Sequence, residues 1–157
     1  PTRRSSDLRI KSLRALASIA VGLFVTFWQS HHAAVGLVAL AIFTIFYGLR
    51  TLFGAPKYFP IALIALITAF LAATSLQNNA DATFILLVAI WGAAQSSIDL
   101  INRDSISATL ALLLSLLFGL VPMDIVSAVG FFGAYLIVSG VHLGIAAYSP
   151  NTIPTKK

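Results

Sequence analysis

Six apolar runs, each long enough or nearly long enough to cross a bilayer, fill almost all of this 157-residue chain. They are Leu13–Trp28, Ala33–Leu49, Tyr58–Leu76, Ala82–Ile101, Ile106–Val121 and Ile125–Tyr148. A membrane helix needs roughly 20 mostly apolar residues, with a range of about 17–25. The first and fifth runs are short, so their flanks must snorkel or the bilayer must thin locally. The runs are continuous rather than alternating, which argues against barrel strands. Composition agrees, with 59% of residues hydrophobic and 10% charged and a mean hydropathy of +0.94. A soluble domain carries about a quarter charged residues because it must hold a wet surface. The expected fold is all-α: a polytopic membrane protein of six transmembrane helices. It divides into a basic tail (1–12), a six-helix domain (13–148) and a second tail (149–157).

The turns between the runs alternate in chemistry. Gln29–His32, Gln77–Asp81 and Pro122–Asp124 hold no lysine or arginine. All 10 basic residues lie on the other side: Arg3, Arg4, Arg9, Lys11, Arg14, Arg50, Lys57, Arg103, Lys156 and Lys157. Positive charge is retained in the cytoplasm during insertion, so both tails are expected there, in a bacterial plasma membrane. Trp28 at one interface and Tyr58 with Phe59 at the other suit an aromatic belt. The net charge of +5 does not mark a nucleic-acid binder, because its carriers sit at helix ends rather than on one face. The basic start followed by an apolar run resembles a signal peptide. Gln29-Ser30-His31-His32 offers no small-x-small cleavage site, so a retained first helix is expected. Pro1 in place of methionine points to a piece of a longer polypeptide.

The runs group into three hairpins of similar pattern. Gly48, Ser97 and Gly140 each precede by two places a polar residue: Arg50, Asp99 and His142. Their spacings of 49 and 43 residues match one helical hairpin. On the outward helices Gly22, Thr68 and Ser115 align, and Ser30, Asp81 and Asp124 open the returning helices as candidate caps. Gly140 and Gly144 form a GxxxG pattern, with Gly133 on the same face, and small residues let membrane helices approach closely. The plain expectation is packing within one copy; the alternative is a homo-oligomer or partner interface.

Three hairpin repeats opening on Arg14-Ala15-Leu16, with Tyr47-Gly48, Ser96-Ser97 and Ser139-Gly140 steps, resemble the HdeD-like small membrane proteins. The resemblance runs from about Arg14 to Tyr148. It implies the six-helix fold and a link to bacterial stress, since the founding member is associated with acid resistance. The family's repeats favour a tryptophan-proline outer turn. This chain has Trp28-Gln29 and Thr74-Ser75 instead and keeps proline only at Pro122.

Ionisable residues inside a membrane are the natural functional candidates, because charge in lipid is expensive. Arg50, Asp99 and His142 form the candidate polar layer. In the functional reading Asp99 pairs with Arg50 and His142 responds to pH. In the plainer and preferred reading Arg50 reaches the headgroups, Asp99 pairs with Arg103 and His142 bonds a neighbouring helix. Tyr135, Ser139 and His142 share one face. His31 and His32 are candidates for acid sensing, or for a divalent metal with Asp81 or Asp124. Adjacent histidines point apart and no third ligand is evident, so a polar turn is expected and no metal or cofactor is assigned. The chain has no cysteine, which excludes disulfides and thiolate chemistry. It has no glutamate, P-loop, HExxH or GxSxG either, so no catalytic residue is assigned. The expected role is a non-catalytic accessory or scaffold subunit with a membrane-protein partner or a second copy. The alternative is a small channel or transporter for protons or a small solute.

Overall fold

The computed structural model describes residues 3–52, 59–77 and 80–148, the side chains of residues 3–11 and of Arg50 excepted. Six helices follow in order: α1 (Arg3–Phe27), α2 (Ala33–Leu52), α3 (Phe59–Thr74), α4 (Ala80–Ile101), α5 (Ser105–Leu120) and α6 (Ile125–Tyr148). A short 3-10 turn, Ser75–Gln77, ends α3, and no strand occurs among the described residues. A continuous apolar run satisfies its backbone most simply as a helix, because each N–H finds a carbonyl within the same segment. Three stretches are long and apolar enough to cross a membrane: Phe59–Gln77, Ala80–Ile101 and Ile125–Tyr148. Ser12–Phe27, Ala33–Leu49 and Ser105–Leu120 are shorter apolar stretches.

Helix boundaries depart from expectation where side-chain chemistry overrides hydropathy. The stretch expected as a basic tail is helical from Arg3, since no glycine or proline interrupts it before Gly22. The second tail, Lys57 and Tyr58 lie outside the described residues. Asp124 caps α6, accepting from the Ser127 amide at 3.0 Å and the Ser127 hydroxyl at 2.7 Å. Ser30 does not cap α2: that helix opens on the His32 carbonyl, which accepts from Val35 at 3.0 Å. Asp81 is exposed in the first turn of α4, where its charge complements the helix dipole.

Among the described turns, α4–α5 is the tightest. Asp104 N–H donates to the Asp99 carbonyl at 2.9 Å and Arg103 N–H to Leu100 at 3.0 Å, the paired bonds of a left-handed helix stop. Arg103 occupies the position that favours glycine, at φ 61°. One residue later Asp104 caps α5, accepting from the Ser107 amide at 3.1 Å and its hydroxyl at 2.9 Å.

The helices pair most closely between hairpins rather than within them. α2 packs on α3, α4 on α5, and α6 closes the ring on α1. Each pair has a point where small residues bring backbones together. A Cβ on Gly48 would lie 3.2 Å from the Ala62 carbonyl, one on Gly92 2.9 Å from that of Ala111, and one on Gly140 2.9 Å from that of Ala15. α2, α4 and α6 supply the centre, where Leu37, Leu40, Phe84, Val88 and Phe132 are buried. Phe84 meets Phe118 and Phe132 edge-on, at 6.1 and 5.7 Å. This offset pairing leaves α1 and α2 lightly packed, with an outward apolar groove of about 250 Å³ lined by Ala20, Val21, Phe24, Ala39 and Ile42.

Burial gives the threefold repeat a different register from the one expected. Ala15, Ala62 and Ala108 are buried at matching places on α1, α3 and α5, as are Val25, Ala72 and Phe118. On α2, α4 and α6 the matching buried sets are Leu40, Val88 and Phe132, then Tyr47, Gln95 and Ser139. The partner of Gly48 and Gly140 is therefore Ser96, not Ser97, which is exposed and bonds back to the Ala93 carbonyl. Likewise Ala69, not Thr68, matches Gly22 and Ser115. Two adjacent serines give residue type no power to choose the face, whereas burial does.

Candidate functional site: a buried polar cluster at the basic end

α2, α4 and α6 end, and α3 and α5 begin, at the same end of the bundle, beside the part of α1 that carries Arg14. This basic end gathers the polar side chains. On α4, Trp91, Gln95 and Asp99 recur at four-residue spacing and so share one face. That face looks into the bundle, leaving them 1%, 2% and 6% exposed. The Gln95 amide nitrogen donates to both Asp99 carboxylate oxygens at 2.9 Å. Arg14 of α1 lays its guanidinium over the Tyr47 ring of α2, 4.7 Å from the centroid. The other side of this aromatic group is Trp91, edge-on to Tyr47 at 5.3 Å and to Phe43 at 6.2 Å. From α6, Tyr135 and Ser139 lie one turn apart on the same face, Ser139 buried in the cluster. His142 Nε2 lies 3.5 Å from Asp104 Oδ1, an ion pair whenever the imidazole is protonated.

The electrostatics follow from this placement. A buried carboxylate needs hydrogen bonds and compensating charge. Gln95 supplies the bonds, and Arg14, Asp104 and His142 are the chargeable groups whose fields reach Asp99. Partial burial alone would raise the Asp104 carboxyl, but the Ser107 amide and hydroxyl and His142 outweigh it and hold it below the usual carboxylate range. Asp124 at the opposite end is also held low, first by the Ser127 amide.

The sequence-expected polar layer is only partly assembled. Asp99 and His142 belong to the same cluster, but Asp99 takes Gln95 and His142 takes Asp104. Arg103 is exposed and forms no ion pair with Asp99. The side chain of Arg50 lies outside the described residues, and so does its pairing with Asp99. In the burial register Arg50 matches Ile98 and His142, so Asp99 is not its equivalent. Gly133 and Gly140 face α1: a Cβ at Gly133 would come 3.2 Å from a Val25 methyl, and one at Gly140 2.7 Å from Ile19 Cγ1. Gly144 is looser, with Ala15 Cβ 3.8 Å away. The GxxxG face is thus occupied by α1 of the same chain. His31 is half-buried and His32 exposed, and no group of three or more His, Cys, Asp or Glu side chains gathers among the described residues.

Sequence reasoning missed Arg14, Tyr47, Trp91, Gln95 and Asp104. One signal was available for α4. Gln95 lies one turn before Asp99, and an amide one turn from an intramembrane carboxylate is its nearest possible donor. Nothing in the sequence pointed Arg14 at Tyr47. Chemically the cluster brings together a buried carboxylate bonded to an amide, an imidazole beside a second carboxylate and a guanidinium over an aromatic ring. Comparison with known proteins found no matching family model, no matching curated protein and no matching solved structure.

Proposed function

We propose that this chain is a non-catalytic integral membrane protein that crosses a bacterial plasma membrane six times, both ends cytoplasmic. In this reading it serves as an accessory or scaffold subunit of a larger membrane assembly. The observation that carries it is where polarity stops. Beyond Trp91 the bundle centre is closed by Leu37, Leu40, Phe84, Val88, Val129 and Phe132, each under 2% exposed. A channel needs polar lining on both sides of the midplane, and a secondary transporter commonly needs broken helices there. The exterior supports membrane residence: Leu16, Phe27, Phe70, Leu113, Leu120 and Ile145 all point outward. Such a surface is suited to lipid or to other membrane helices. The one-sided distribution of Lys and Arg supports the orientation. The three shorter helices span with thinning or snorkelling.

With Gly133 and Gly140 of α6 occupied by α1, a partner or second copy is met through the outer faces. Mild extraction from native membranes followed by native mass spectrometry tests this. A stoichiometric protein partner or a homo-oligomer is expected, and a monomer without protein partners would overturn the scaffold role. The resemblance to HdeD-like proteins adds acid stress as the physiological setting, which growth of a deletion strain at low pH would test. A second reading, a channel or transporter for protons or a small solute, rests on the ionisable cluster at the basic end. It requires flux through the apolar half.

A further inference from the structure

Three polar atoms of the basic-end cluster are buried with no hydrogen-bond partner among the described residues: Trp91 Nε1, Gln95 Oε1 and Arg14 Nε. A buried donor or acceptor left unsatisfied is costly, and such groups in folded proteins are almost always met by protein or ordered water. Their chemistry is complementary. Trp91 offers an N–H and, one helical turn along the same face, Gln95 offers a carbonyl oxygen whose own amide is committed to Asp99. Arg14 offers an N–H whose charge is felt at Asp99, and the two form no direct ion pair.

We propose that the basic end of the bundle is a binding site for internal water. One water accepts from Trp91 and donates to Gln95, and another links Arg14 to the Asp99 carboxylate. A buried water typically makes about three hydrogen bonds and needs a polar wall, which this cluster supplies and the apolar half does not. The site is a one-ended vestibule, wetted from the basic end and sealed beyond Trp91 by Val88, which is fully buried. It is independent of whether the chain serves as a scaffold, because it concerns hydration and not partners.

The chain contains no cysteine, so single cysteines report water directly. The cysteine thiolate, which forms only where water reaches, attacks the sulfenyl sulfur of a methanethiosulfonate reagent and displaces methanesulfinate to give a mixed disulfide. Ser139→Cys, 9% exposed inside the cluster, is expected to react about tenfold or more faster than Val88→Cys. An exposed Arg103→Cys serves as the positive control. Equal inertness of Ser139→Cys and Val88→Cys, with Arg103→Cys reactive, would overturn the proposal. A second readout needs no change to the cluster. In Trp28→Phe, Trp91 is the one remaining tryptophan, and ultraviolet resonance Raman reads whether its indole N–H is hydrogen-bonded. A bonded indole that exchanges readily in heavy water supports the site. A free indole, or a co-purifying organic molecule whose removal frees it, would overturn it.

Discussion

The two halves of this bundle are built from the same repeat yet solve opposite problems. At the basic end the inward positions are Tyr47, Gln95 and Ser139, with Asp99 one turn further along α4. Two turns away the matching inward positions are Leu40, Val88 and Phe132. The backbone scaffold and the helix pairing are shared, so the difference lies in side chains alone. The apolar half is held by shape, with rings edge-on and glycines admitting a neighbouring backbone. The polar half is held by mutual satisfaction, in which one amide serves both oxygens of a buried carboxylate. A half held by shape should respond to volume and polarity, and a half held by satisfaction should respond to the loss of single partners.

The largest effect is expected from carrying polarity into the apolar half. Phe132→Asn removes a fully buried ring and leaves an amide without partners, for a loss of about 4 kcal/mol. Unfolding in a bicelle or mild detergent measures it. A loss under about 1 kcal/mol would mean that the apolar half is less sealed than its packing indicates.

Next comes the removal of satisfaction from the polar half. Gln95→Leu strands the Asp99 carboxylate and is expected to cost about 3 kcal/mol. Adding Asp99→Leu should recover much of that loss, because two apolar groups make no unmet demand. Strict additivity of the two changes would show that Gln95 and Asp99 are not coupled.

Helix approach should separate glycines within one helix. Gly140→Leu places a side chain where a Cβ alone would lie 2.9 Å from the Ala15 carbonyl, whereas Gly130 faces open space. The first is expected to lose about 2 kcal/mol, the second to change stability little. Equal tolerance of both would contradict the packing of α6 on α1.

The smallest effect is the pH response of Asp104. Its carboxyl is held below the ordinary value of 3.8, so its contribution is full above that pH and is lost as pH falls through the folded value. With its side chain 37% exposed, solvent screens the group and it is worth under about 1 kcal/mol. Asp104→Asn should therefore flatten the fall in stability below about pH 4, which acid unfolding of the two proteins measures.

The helices themselves were legible because hydropathy counts residues, and residues per span are set by membrane thickness. Their partners were not legible. Continuous apolar runs hide which face is inward, so Ser96 and Ser97 could not be told apart by type, and the repeat slipped by one residue. The closest pairings were not legible either: the outer turns group the runs into hairpins, whereas glycine placement packs α2 on α3, α4 on α5 and α6 on α1. Asp99 was legible as the residue to explain, but reasoning from charge sought a cation for it. The fold supplies a neutral amide one turn away, and the guanidinium that acts on it comes from α1, some 85 positions earlier in the chain. Such a contact has no local signature.

Proton and solute flux in reconstituted liposomes tests the contrast between the halves most directly. If polarity ends at Trp91, vesicles containing the protein should hold a pH gradient and a small-solute gradient as long as protein-free vesicles do. A leak that depends on the protein and disappears in Asp99→Asn would contradict the sealed apolar half and the scaffold role built on it.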